Sequence, residues 1–131
     1  AMVLVSLERY GEAVRYLEQG SLDFPEAWTF TLALSRLLSA APQGEVRDGH
    51  RAVEVMEALP DDVRLIDFGE TMAMALAESG NFEDAIVLQQ QAIESAAQAG
   101  VIELVEAMSD NLKLYEANMP SRIPWRAGQL P

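Results

Sequence analysis

A chain of 131 residues, 50% hydrophobic and 23% charged, has the composition of one folded domain or a short repeat array, not of a disordered segment. Its 21 acidic and nine basic side chains leave a net charge of −12, which repels phosphate backbones and anionic lipid, so nucleic acid and membrane surfaces are not expected partners. No cysteine is present, which excludes disulfides, zinc–thiolate sites and thiol nucleophiles, and no uncharged run exceeds nine residues where a membrane span needs about 20.

The acidic excess is uneven: between Leu65 and Leu112 there are nine acids and no base. Such a stretch reads first as a solvated surface and second as an attraction for a basic partner. The opening "AMVLVSL" lacks the basic flank of a signal peptide, which makes cytoplasm the expected compartment. Ala1-Met2 reads as a cloning remnant, so a fragment or a trimmed start is expected.

In chain order, almost every segment has helical periodicity. "SLERYGEAVRYLEQG" places Tyr10, Ala13, Val14 and Leu17 on one face. Pro25 suits the first turn of a second helix carrying Trp28, Leu32, Leu34, Leu37 and Leu38, which "APQG" ends. "EVRDGHRAVEVMEALP" aligns Ala52, Val53, Met56 and Leu59, with Pro60 as its stop. Asp61 or Asp62 is a candidate cap for the next helix, which runs through Met72, Ala73, Leu76 and Ala77 to Gly80-Asn81. "NFEDAIVLQQQAIESAA" follows, with Phe82, Ala85, Ile86, Gln89, Ala92, Ile93, Ala96 and Ala97 on one face. After Gly100 a last helix presents Val101, Val105, Met108, Leu112 and Tyr115. No segment alternates like a strand, and the short loops predict antiparallel neighbours.

Ala13, Ala52 and Ala85 recur 39 and 33 residues apart, each near the start of a second helix. Tyr10 and Phe82 precede their alanines by three positions. Leu4 and Leu76 precede theirs by nine. Leu17, Met56 and Gln89 follow by four, and Gly20, Leu59 and Ala92 by seven. This is a helix-turn-helix unit with a period of about 34 residues.

With these residues in place, the chain resembles the tetratricopeptide repeat (TPR) family over about residues 2 to 119. "GETMAMALAESGNFEDAIVLQQQAI" matches best: Gly69, Met72, Ala73 and Leu76 at the first-helix spacing, Gly80 and Phe82 at the turn, Ala85 and Ala92 as the small residues of the second helix. The resemblance implies an all-α, right-handed superhelix of antiparallel helix pairs, about two and a half repeats long. It divides into a partial repeat (1–25), an irregular one (26–60), the best-matching one (61–99), a capping helix (101–119) and a Pro-rich tail (120–131). The irregular unit departs from the family pattern, because Trp28 lies four residues before Leu32 instead of three and "SAAPQGEVRD" stretches its link.

The resemblance further implies a protein-interaction scaffold whose first helices line a concave groove. In the third unit the groove positions are Asp67, Glu70, Thr71, Met74 and Glu78, with Phe30, Thr31 and Leu34 as their equivalents in the second; the alternative role for Phe30, Leu34 and Met74 is packing. Glu70, Met74 and Glu78 stand where some TPR domains carry the Lys, Arg and Asn that grip a chaperone's terminal carboxylate. A basic or amphipathic peptide is therefore the better-matched partner. Self-association into a homodimer, and service as the C-terminal regulatory domain of a larger enzyme, are the alternative functions.

No catalytic machinery is expected and no cofactor or metal is implied. His50 is the only histidine, at a helix start, and with Glu54 it makes two metal ligands without a third. "DFGE" at 67–70 has the letters of the kinase magnesium motif without its Gly-rich loop or strand lysine. In the tail, three prolines favour extended backbone and Arg122, Ile123, Trp125 and Arg126 are candidate contacts. Trp125 is expected to pack on the capping helix; the alternative is a basic tail lying on the acidic surface of a second copy.

Overall fold

The computed structural model describes residues 9–59 and 66–125, with backbone alone at Ile66 and Asp67. These residues form six helices: α1 (Tyr10–Asp23), α2 (Trp28–Ala40), α3 (Gly49–Glu57), α4 (Ile66–Glu78), α5 (Phe82–Gln98) and α6 (Ile102–Glu116). No strand occurs among the described residues, so the chain is all-α there. Leu4, Pro60, Asp61, Asp62 and Arg126, which the sequence reading uses, lie outside them.

Local chemistry sets the helix ends. Asp48 caps α3 by accepting from the Arg51 amide at 3.1 Å, and Asn81 caps α5 by accepting from the Asp84 amide at 3.2 Å. Helices α4, α5 and α6 end alike, with a left-handed residue that, together with the residue after it, returns two hydrogen bonds to the last turn. Gly80 (φ 92°), Gly100 (φ 76°) and Asn118 (φ 58°) take that conformation. At α6 the Asn118 amide donates to the Tyr115 carbonyl and the Met119 amide to the Leu114 carbonyl. Pro120 follows and prevents the helix from resuming.

Each helix packs on its chain neighbours, and α2 additionally packs on α4, two elements further on. The repeat seen in the sequence is visible in this arrangement. Tyr10, Gly49 and Phe82 open α1, α3 and α5. The alanines three residues later, Ala13, Ala52 and Ala85, are each 0% exposed, and Leu17, Met56 and Gln89, four residues after those, are buried too. Residues at matching positions are therefore alike in burial, which makes the arrangement helical-repeat-like.

The small residues mark where helices approach most closely. A Cβ on Gly20 would lie 2.7 Å from the Phe30 ring, and one on Gly69 would lie 3.6 Å from the Ala92 Cβ. At Gly49 an added Cβ would stand 2.6 Å from the backbone of Glu78 and Ser79, so the start of α3 touches the end of α4. Two local expectations are corrected. Pro25 sits in the turn before α2, not in its first turn, and Ala97 is exposed instead of lying on the inward face of α5.

Candidate interaction site

Helix α2, "WTFTLALSRLLSA", is apolar almost all round and carries one charge, Arg36. It is enclosed by α1, α3, α4 and the C-terminal tail, and from Leu34 to Ala40 every residue is buried. A guanidinium in such a place must have each of its donor directions satisfied. Arg36 Nε donates to Thr71 Oγ1 at 3.0 Å, and Nη2 meets Glu70 Oε1 at 3.4 Å, both on α4. Nη1 donates to the main-chain carbonyl of Pro124 at 2.9 Å. Arg36 thus joins α2 to α4 and holds the tail by a backbone group.

The second anchor is Glu78, the last residue of α4. An acid at a helix C-terminus opposes the helix dipole and needs cations for compensation. Glu78 has two: Arg122 Nη1 from the tail at 2.7 Å from Oε1, and Arg47 Nε from the α2–α3 link at 3.5 Å from Oε2. Arg47 is itself fixed by donating from Nη1 to the Ala41 and Pro42 carbonyls. The irregular link, which weakens the repeat pattern in the sequence, delivers this arginine.

The third anchor is Trp125, half-buried against the core cluster that Ala13 and Leu17 of α1, Leu34, Leu37 and Leu38 of α2, Ala52 of α3 and Ala75 of α4 build. Just before these anchors in the chain Ser121 is buried, and its hydroxyl accepts from the Ile123 amide at 3.3 Å. Ile123 points outward, 63% exposed.

Of the candidate groove residues, Glu70, Thr71 and Glu78 are brought together in this site, and Met74 is buried on the same helix. The side chain of Asp67 lies outside the described set. Phe30, Thr31 and Leu34 belong elsewhere. Phe30 stacks on Phe24 with ring centres 6.2 Å apart and covers Gly20 of α1; Thr31 Oγ1 lies 3.4 Å from Ser21 Oγ of α1; and Leu34 is buried in the core cluster.

The error is one of register. Helices α2 and α4 both have 13 residues. Matched end to end, Ser35, which bonds the α3 carbonyl of Ala52, corresponds to Ala73, which packs beside Ala85 of α5. Arg36, not Leu34, then corresponds to Met74. Two residues turn a helix by about 200°, so the three chosen residues face the opposite way.

Two further expectations are corrected. The face between α2 and α4 is not an open groove, because residues 121–125 cover it and Glu70 and Thr71 are fully buried. Trp125 packs on the cluster from α1 to α4 instead of on α6, and it does so within its own chain.

Arg36, Arg47 and Pro124 were not among the sequence candidates. For Arg36 a signal existed, since it is the only charge between Glu26 and Glu45 in a strongly apolar run. His50 is exposed on α3, and among the described residues no three His, Asp or Glu side chains come close enough to share a metal ion. Within "DFGE", Phe68 packs with Leu32 and Met56, and Gly69 lies against Ala92. No helix among the described residues is long and apolar enough to cross a membrane. Compared with protein-family models, curated proteins and solved structures, the chain matches none of them.

Proposed function

We propose that this chain is a TPR-like helical repeat module that binds an extended segment of another protein on the face between its first helices, α2 and α4. One observation carries the reading: that face already holds a non-helical, Pro-flanked stretch of polypeptide through a main-chain carbonyl, an ion pair and an aromatic side chain. These are the means by which peptide-binding surfaces hold extended ligands, backbone contacts supplying grip and side-chain pockets supplying choice. Glu78 at the rim, within a chain of net charge −12, favours a partner with a basic residue at the matching position.

The outer surface of α5 is less suited to this role. Its exposed residues Glu83, Val87, Gln90 and Glu94 form a solvated face, while Ala85, Gln89, Ala92 and Ala96 turn inward. The test is affinity capture from the source cell with the intact chain, a Glu78→Lys variant and a Glu83→Lys variant. A partner lost by the first substitution and kept by the second supports the α2/α4 face. A partner lost only with Glu83→Lys moves the function to the outer face of α5.

A further inference from the structure

The tail is attached in a manner unlike the rest of the fold. Helices α1 to α6 are joined by buried apolar contacts, whereas residues 119–125 leave Met119 53% and Ile123 63% exposed. Their anchors are a single carbonyl, one half-exposed ion pair, one half-buried indole and the small buried side chains of Ser121 and Pro124. An exposed ion pair of this kind contributes little to stability. The receiving face has partners of its own besides the tail: Thr71 and Glu70 take two of the Arg36 donor groups, and Arg47 Nε lies 3.5 Å from the Glu78 carboxylate. What Arg36 presents to the tail is a donor for any backbone carbonyl, which selects an extended chain and no particular side chain. Selection comes from Glu78, which takes a cation, and from the core cluster, which takes an aromatic ring three residues further on.

We propose that residues 121–125 are a built-in ligand of the α2/α4 face, and that the face is made for an extended segment of another protein carrying an arginine with an aromatic residue three positions later, which binds by displacing the tail. The inference rests on the interaction reading above and specifies its partner. Pro120 and Pro124 keep the tail extended before it docks, so little conformational entropy is lost in docking. The link from α6 is the short turn at Asn118, which keeps the tail at an effective concentration of about mM relative to the face. An external segment must exceed that concentration in units of its own affinity. The tail therefore sets a threshold that weak, unrelated basic peptides do not pass.

The experiment uses the full chain and a labelled peptide with the sequence of residues 121–126. The chain has two tryptophans, Trp28 and Trp125, so an NMR spectrum contains two indole N–H signals, assigned with Trp28→Phe. In the intact chain the Trp125 signal should be that of an ordered side chain. Excess peptide should move it to the position seen in an Arg122→Glu variant, whose tail repels Glu78. That variant, and separately Trp125→Ala, should bind the labelled peptide at least tenfold more tightly than the intact chain. Circular dichroism should show both variants as helical as the parent, and a peptide with both the arginine and the tryptophan replaced by alanine should not bind.

Equal affinity for intact and tail-released chains overturns the proposal, as does a Trp125 signal that saturating peptide leaves unmoved. Failure of the released variants to bind the peptide also overturns it, making the tail a structural strap. Light scattering that shows a dimer whose Trp125 signal becomes free on dilution places the tail on a second copy and overturns displacement within one chain. The proposed function survives each of these results if capture still depends on Glu78, and falls on its own if capture does not.

Discussion

Replacing Ala85 by leucine adds a branched side chain where Ala73, Ala77 and Tyr115 already meet with almost no exposed surface. Overpacked cores lose about 1–3 kcal/mol, and a urea melt of Ala85→Leu should show a loss in that range. Two glycines give a sharper contrast, since the same substitution should act in opposite directions. Gly49→Ala forces a Cβ to within 2.6 Å of the Glu78 and Ser79 backbone, which cannot rotate away, and should destabilise by about 1–3 kcal/mol. Gly11 is helical and nothing lies within 4 Å of its added Cβ. Gly11→Ala should gain about 0.5–1 kcal/mol through lost freedom in the unfolded chain. Both changes are read in the same melts, and equal signs would show that the close approach of α3 to α4 is absent.

Between elements, the buried Arg36–Glu70 contact joins α2 to α4 without being a large source of stability. The desolvation of two buried charges offsets most of their attraction, yet removing one partner strands the other at a cost of about 3–5 kcal/mol. Arg36→Met should therefore be severely destabilised, and Arg36→Met combined with Glu70→Leu should recover most of the loss in a denaturant melt. The double variant lacks the donor to the Pro124 carbonyl, so tail docking should stay weakened when stability returns.

This helix is also where sequence reading stopped short. The turns at Gly80-Asn81 and Gly100, the buried alanines and the face of α5 were legible because local signals settle them: left-handed caps, and an apolar stripe beside a polar one. Helix α2 buries its hydroxyl stripe, Thr31, Ser35 and Ser39, so polarity does not show which way it is turned, and Leu34 takes the packing role that was its alternative. The fold-back of the tail depends on one carbonyl and two side chains meeting residues from three distant segments, and no periodicity carries that information.

At the scale of the molecule, a serial stack of helices distributes its stability unevenly. Each helix is supported by its immediate neighbours, so protection should peak where neighbours are most numerous. Helices α2 and α4, each packed on three others, should have the slowest amide hydrogen exchange, with α6 and α1 opening earlier. Uniform protection across all six helices would instead indicate a single cooperative unit. Salt should separate this stack from its tail. A net charge of −12, with nine acids and no base from Leu65 to Leu112, makes the compact chain repel itself, and screening relieves that repulsion. Raising sodium chloride from about 0.05 to 0.5 M shortens the screening length from well over to well under 10 Å. The melting temperature should then rise. The Arg122–Glu78 pair is exposed at its arginine end and loses attraction under the same screening, so the Trp125 indole signal should move toward its released position. Opposite responses from one titration require a repeat body held by apolar packing and a tail held in part by charge. If the tail is part of the core, both signals follow the melting temperature together.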